Sequence, residues 1–226
     1  MTAKITILAL MTAVCVGAAV PGTAPVNIGS DADMDVLSMP LSNQKQLLKP
    51  VKKTIDRLLQ VAGDTNLSLD LRWKSIMALG FLEGQSITPS YLALANSKEW
   101  FVKNGLLIAM DENNHPQRYN VAKKLVKDPS LIVRSTAFDI LMQEPTHRDL
   151  LWEELFSAQN IKKKHSLWVR PKIIHYMTQN PMTHERALFE KLSKETEPDI
   201  VTMANKGLQK IKAMSANETA PIIKAY

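Results

Sequence analysis

A single cysteine, Cys15, is all the 226-residue chain contains. It falls inside the N-terminal apolar run, so the chain has no disulfide framework and no Cys-rich metal site. Glycine is scarce too, at 8 residues against 12 prolines. That balance disfavours sheets closed by Gly-rich hairpins and suits helices joined by tight turns. Aromatics make up 6% of the chain, so small aliphatic side chains and the 11 methionines must fill the core. No Gly-rich phosphate loop and no G-x-S-x-G elbow is present. His115, His147, His165, His175 and His184 show none of the i, i+4 spacing with a carboxylate that marks a helical zinc site. Asp139 and Asp149 are isolated carboxylates, read as solvated or ion-paired. No catalytic residue, metal or cofactor is expected.

Long apolar stretches are likewise missing beyond residue 20. Before it, Met1 to Lys4 is short and positively charged, Ile5 to Val20 is apolar, and Gly17-Ala18-Ala19 supplies small residues. An apolar run of about 16 residues is shorter than the roughly 20 of a spanning helix. Residues 1–19 therefore read as a cleaved export signal, and the expected location is the periplasm or outside the cell. Residues 20–42 are rich in Pro, Gly, Ser and Asp without helical period, and read as a disordered acidic tether. Taking Lys4 from the 28 cations, and Asp31, Asp33 and Asp35 from the 22 anions, leaves 27 basic against 19 acidic groups from residue 43 onward. Residues 214–226 read as a flexible tail.

Between them a pattern recurs. Val133-Arg134 is preceded 31 residues earlier by Val102-Lys103, and 31 earlier again by Leu71-Arg72. Asn66, Ser97 and Asp128 each stand five residues before the apolar anchor, and all three are helix-capping types. Val169-Arg170 repeats the pair 36 residues after Val133, the extra five falling in Asn160 to His165. A fifth copy is expected at Val201. Each copy is preceded by a first amphipathic helix, and the expected first one spans Asn43 to Ala62 around Pro50. The period predicts one helix pair copied along the chain.

The stretches DLRWKSIMALG, WFVKNGLLIAM and LIVRSTAFDIL resemble HEAT-like repeats of the armadillo type, over residues 43 to about 213. The 31-residue spacing is similar to the compact units of bilin-lyase-type bacterial solenoids. The resemblance implies an all-α fold, a right-handed α-solenoid of about five helix pairs. It also implies Asp residues that pair with the arginine of a neighbouring repeat, for which Asp128 is the clear candidate. Most such proteins are binding scaffolds, and a few are enzymes, including alkylated-base DNA glycosylases.

Two sets of cations are candidates for function. Arg72, Lys103, Arg134 and Arg170 share the repeating position, and are read as structural, with a basic face as the alternative. Lys162, Lys163, Lys164 and His165 occupy the insertion, with Trp168, Arg170 and Lys172 close in sequence. No Asp or Glu lies between Leu155 and His184. This stretch is either a solvated loop or a contact surface for an anionic partner. The expected function is noncatalytic: an exported scaffold that engages a protein or an anionic envelope component. A glycosylase-like enzyme is the alternative, but base excision needs an acidic group among the cations, and export separates the protein from the chromosome. Nucleic acid is therefore not the expected partner. The oligomeric state is open.

Overall fold

The computed structural model describes residues 35–48, 52–82, 89–161 and 169–218. Every regular element among them is helical: α1 (Leu41–Leu47), α2 (Lys52–Gly63), α3 (Leu69–Leu82), α4 (Pro89–Ala93), α5 (Trp100–Glu112), α6 (Arg118–Leu125), α7 (Leu131–Leu141), α8 (Arg148–Leu155), α9 (Ala158–Ile161), α10 (Val169–Gln179), α11 (Arg186–Leu192) and α12 (Pro198–Glu218). The export signal and residues 20–34 of the expected tether lie outside the described residues.

Two kinds of helix alternate. In α2 the buried side chains Ile55, Leu58, Val61 and Ala62 follow the three-and-four spacing of one stripe. In α3 the consecutive residues Ser75 to Gly80 are all buried, so that helix is covered on most of its circumference. Packing explains the difference: α3 lies against both α2 and α5. The same holds onward, since α5 packs on α7, α7 on α10 and α10 on α12. The flanking helices α6, α8 and α11 pack beside α7, α10 and α12 respectively. The core is continuous along this series, and at its centre Val133, Ala137, Phe138 and Leu141 have no exposure.

Local signals set the helix ends. The Ser68 hydroxyl accepts the Leu71 N–H at 3.3 Å and so caps α3, whereas Asn66 is held by the Asp64 carboxylate. Ser97 and Asp128 do accept backbone N–H groups, from Glu99 and Ser130. They brace the turn ahead of the helix, because each partner is itself the residue flanking it. Pro171 stands third in α10, inside the first turn, where its missing N–H costs no intrahelical bond.

Three expected boundaries move. Asp35 to Ser42 belongs to the folded part: Leu37 is fully buried, and buried Gln44 donates to the Leu37 and Met39 carbonyls. The sequence is acidic and turn-rich there, but Val36 and Leu37 supply enough apolar surface to be buried in the core. The expected helix from Asn43 to Ala62 is divided, with α1 ending at an extended Leu48. At the other end α12 continues helical through Glu218, past the expected start of the tail at 214. In α12 it is Ile200 that is buried, with Val201 only partly so, which moves the fifth anchor by one residue.

Helices α3 and α5 approach closely at Gly80. A Cβ placed there would lie 2.7 Å from the Ala109 Cβ and 3.0 Å from the Ala109 carbonyl oxygen. In an exposed helix Gly→Ala gains about 1 kcal/mol. Here Gly80→Ala should instead cost roughly 1–3 kcal/mol through overpacking. Urea unfolding of the two proteins checks this, and a more stable variant would show that the two backbones are not in contact.

Candidate functional site

The repeating cations turn inward. Arg72 is buried, and its guanidinium bridges three helices. Nε donates to the Ala62 carbonyl at the end of α2 (3.1 Å), and the two terminal nitrogens form a fork on Glu99, beside the start of α5. Phe101 packs its ring 4.8 Å below the same guanidinium. Lys103 of α5 pairs with Asp128, ahead of α7, and both side chains are buried. Arg170 of α10 donates to the Leu155 carbonyl at the end of α8 (3.3 Å), to Glu195 (2.6 Å) and to Glu197 (3.1 Å), ahead of α12. In each case the acid comes 25 to 27 residues after the cation, from the turn that begins the next long helix.

Arg134 departs from this rule. It has no exposure, and donates to the Asp128 and Pro129 carbonyls of its own turn, at 2.7 and 3.1 Å. Burial pushes its pKa down, and the charges of Asp128 and Glu154 oppose that. The position 26 residues on is Asn160, at the lengthened segment, and Asn160 is turned to the Glu154 carbonyl instead (2.7 Å).

Among the residues expected to form a binding surface, Lys162, Lys163, Lys164, His165 and Trp168 lie outside the described residues. The other two are committed to partners inside the protein. Arg170 is buried on its carboxylates and carbonyl. Lys172, part exposed, bonds Asp139 and the Ser135 hydroxyl of α7, both at 2.8 Å. Neither is a free cation for an outside anion. The sequence could not show this, because each acid is remote in sequence from the stretch that lacks acids. Asp139 is half-buried, and burial raises its pKa against the opposing hydrogen bond and charge of Lys172.

A second buried cluster had no expectation attached to it. Arg148, at the first turn of α8, forks onto Glu185 at 2.8 and 2.7 Å. The Trp152 indole and the Met182 N–H donate to the same carboxylate at 2.7 and 2.8 Å. Tyr176 lies under the Arg148 guanidinium at 5.5 Å, and Phe189 meets Trp152 edge-on at 5.1 Å. Burial alone would raise the Glu185 pKa, but the four donated bonds and the Arg148 charge outweigh it, and the carboxyl sits below its ordinary value. Arg148 is raised in turn: Glu185 and Tyr176 overcome the effect of burial. The one sequence signal was the arginine that opens α6, α8 and α11 in common (Arg118, Arg148 and Arg186).

Among the described residues no group of three or more His, Cys, Asp or Glu side chains is arranged to hold a metal ion. The best concavity, lined by Arg186, Glu190, Asn205 and Leu208 among others, is open to solvent. No helix of the described residues is long and apolar enough to cross a membrane. No protein-family model matches the chain. Among curated proteins, none is similar to it in sequence.

Removing one member of a buried pair strands the other. Lys103→Met should cost about 3–5 kcal/mol by leaving Asp128 ionised without its partner. Arg72→Met should cost less, since Glu99 keeps 39% of its side chain in solvent. Chemical denaturation ranks the two, and equal costs would remove burial as the deciding factor. Glu185 sets an acid limit. Its folded pKa is below the unfolded value, so its contribution is full above about pH 4.5 and is lost as pH falls through the folded value. Glu185→Gln should be less stable than wild type at pH 7, and the gap should narrow below pH 4. Parallel stability curves for the two proteins would rule the carboxylate out.

Proposed function

We propose that this chain is a noncatalytic, exported binding protein: a HEAT-like, right-handed solenoid of about five helix pairs that engages a protein or an anionic envelope component. The cation-to-acid pairs support the repeat reading. They link α3 to α5, α5 to α7 and α10 to α12 in one sense along the chain, as expected when one unit is copied. Export rests on the apolar N-terminal run alone.

The observation that carries a binding role is a row of exposed apolar residues. Leu69 is 63% exposed, Trp100 44% and Ile132 38%. They stand at the starts of α3, α5 and α7, three helices that pack on one another in that order. A single exposed leucine means nothing. Three large apolar side chains at the same end of successive helices form the kind of surface that protein partners cover, and tryptophan is a favoured interface anchor. The lysine run Lys162 to Lys164 is the complementary feature for an anionic partner.

Capture from an envelope extract on immobilised protein separates the two. With a protein partner, Leu69→Ser with Trp100→Ser should abolish capture, while raised salt has little effect. With an anionic component, Lys162→Ser, Lys163→Ser and Lys164→Ser should abolish it, and binding should weaken with salt as charges are screened over roughly 8 Å. Urea unfolding of both variants checks that each still folds. Undiminished capture by both variants, or base excision from damaged duplex DNA by the purified protein, would overturn the binding reading.

A further inference from the structure

On each of α4, α6 and α8 an aromatic ring meets a titratable residue from the turn entering the next flanking helix, α6, α8 and α11 respectively. Tyr91 of α4 meets His115 edge-on, with ring centroids 5.9 Å apart and planes at 63°. Tyr119 of α6 meets His147 at 5.1 Å and 61°. Trp152 of α8 meets Glu185, as described above. Two of the three joints therefore carry an imidazole where the third carries a carboxylate.

His115 has no exposure. Its Nδ1 accepts the Gln117 N–H at 3.1 Å, and its carbonyl accepts the Arg118 N–H at 3.0 Å. The first bond braces the turn ahead of α6, since Gln117 is the residue flanking that helix, and the second satisfies one of the N–H groups that a helix start leaves without partners. An accepting Nδ1 places the single ring proton on Nε2, and that atom makes no hydrogen bond among the described residues. Asn114, at φ 50°, supplies the left-handed residue that turns the chain into this position.

Protonation undoes the arrangement. A proton on Nδ1 removes the acceptor and sets N–H against N–H. It also places a positive charge at the positive end of the α6 dipole. The groups around His115 offer no compensation: Tyr91 faces it from α4, and Arg118 from α6 reaches its carbonyl at 3.5 Å. Around His147 stand Tyr119 and Lys123 from α6 and Glu144 from its own turn, with Arg118 stacked on Tyr119 at 4.4 Å. Its Nε2 is also without a hydrogen bond among the described residues.

We propose that the two Tyr–His joints form an acid-labile seam, closed at neutral pH and opening at α6 and the first turn of α8 as the pH falls below about 6.5. Burial lowers the pKa of His115, and burial followed by the Lys123 charge lowers that of His147 against Glu144. Both folded values thus lie below the unfolded one, so the open form binds the proton first. The joint is intact above the unfolded value and weakens as the pH falls toward the folded one. The Trp152–Glu185 joint holds through this window, because its carboxylate titrates only at lower pH. Acid then loosens one part of the molecule before the whole.

The test is a histidine NMR titration of the full chain, with amide exchange followed at each pH. Two blocked histidine peptides in the same buffer serve as references. His115 and His147 should titrate below both references. Protection factors at residues 118–125, corrected for the intrinsic pH dependence of exchange, should then fall by up to about tenfold per pH unit for each histidine, the limit set by one proton, while those of α3 hold. His115→Asn with His147→Gln cannot take up these protons and should flatten the fall. If that variant does not fold, the wild-type titration and exchange decide alone. His115 and His147 titrating together with the references would overturn the seam. So would exchange in α6 that follows the same pH dependence as α3.

Discussion

A buried cation has to find an anion that its own helix pair does not carry. Taking an ammonium or guanidinium out of water costs several kcal/mol per ion, recovered only with a well-placed partner and satisfied donors. Arg72, Lys103 and Arg170 meet that demand with acids 25 to 27 residues ahead, at the start of the next long helix. The acid's location is favourable for a second reason, since a carboxylate beside a helix N-terminus is stabilised by the aligned peptide dipoles. One side chain thus ties the end of one helix, the body of a second and the beginning of a third. Helices α3, α5 and α10 each depend in this way on an acid that lies ahead of the next long helix, which couples their order to their stability.

The helical class was legible because apolar residues recur at three-and-four spacing, as Ile55, Leu58 and Ala62 do in α2, and that period is the strongest secondary-structure signal in a sequence. The acids were not legible, for a geometric reason. A carboxylate at the end of a flexible side chain reaches the same guanidinium from several backbone positions. Glu99 therefore stands three residues before its anchor Val102, whereas Asp128 stands five before Val133. A search in fixed phase finds Asp128 and passes over Glu99. Leu37 illustrates the opposite difficulty. Two apolar residues among aspartates and serines carry too little periodicity to register, yet their burial in the core suffices to order them.

Charge in the sequence also proved a poor guide to charge at the surface. The stretch from Leu155 to His184 has no acidic residue, and Arg170 and Lys172 within it suggested a free basic patch. Folding brings Glu195, Glu197 and Asp139 to them from elsewhere. Local net charge predicts a field only where chain and space run together, which holds for an exposed loop and fails for a helix packed among others.

The two sets of joints differ in what the pH does to them, and that follows from their chemistry. Cation–carboxylate pairs such as Arg148–Glu185 lose their attraction only when a carboxyl is protonated, and its own partners push that event to lower pH. The His115 joint works through a neutral acceptor, which protonation abolishes from a starting value near 6.5. The turn ahead of α6, braced by His115 Nδ1, is as well satisfied at neutral pH as one braced by a serine hydroxyl or a carboxylate. It is the weaker choice in acid. Imidazole joints at the starts of α6 and α8, followed by a carboxylate joint at Glu185, therefore make successive parts of one series of helices separable by pH.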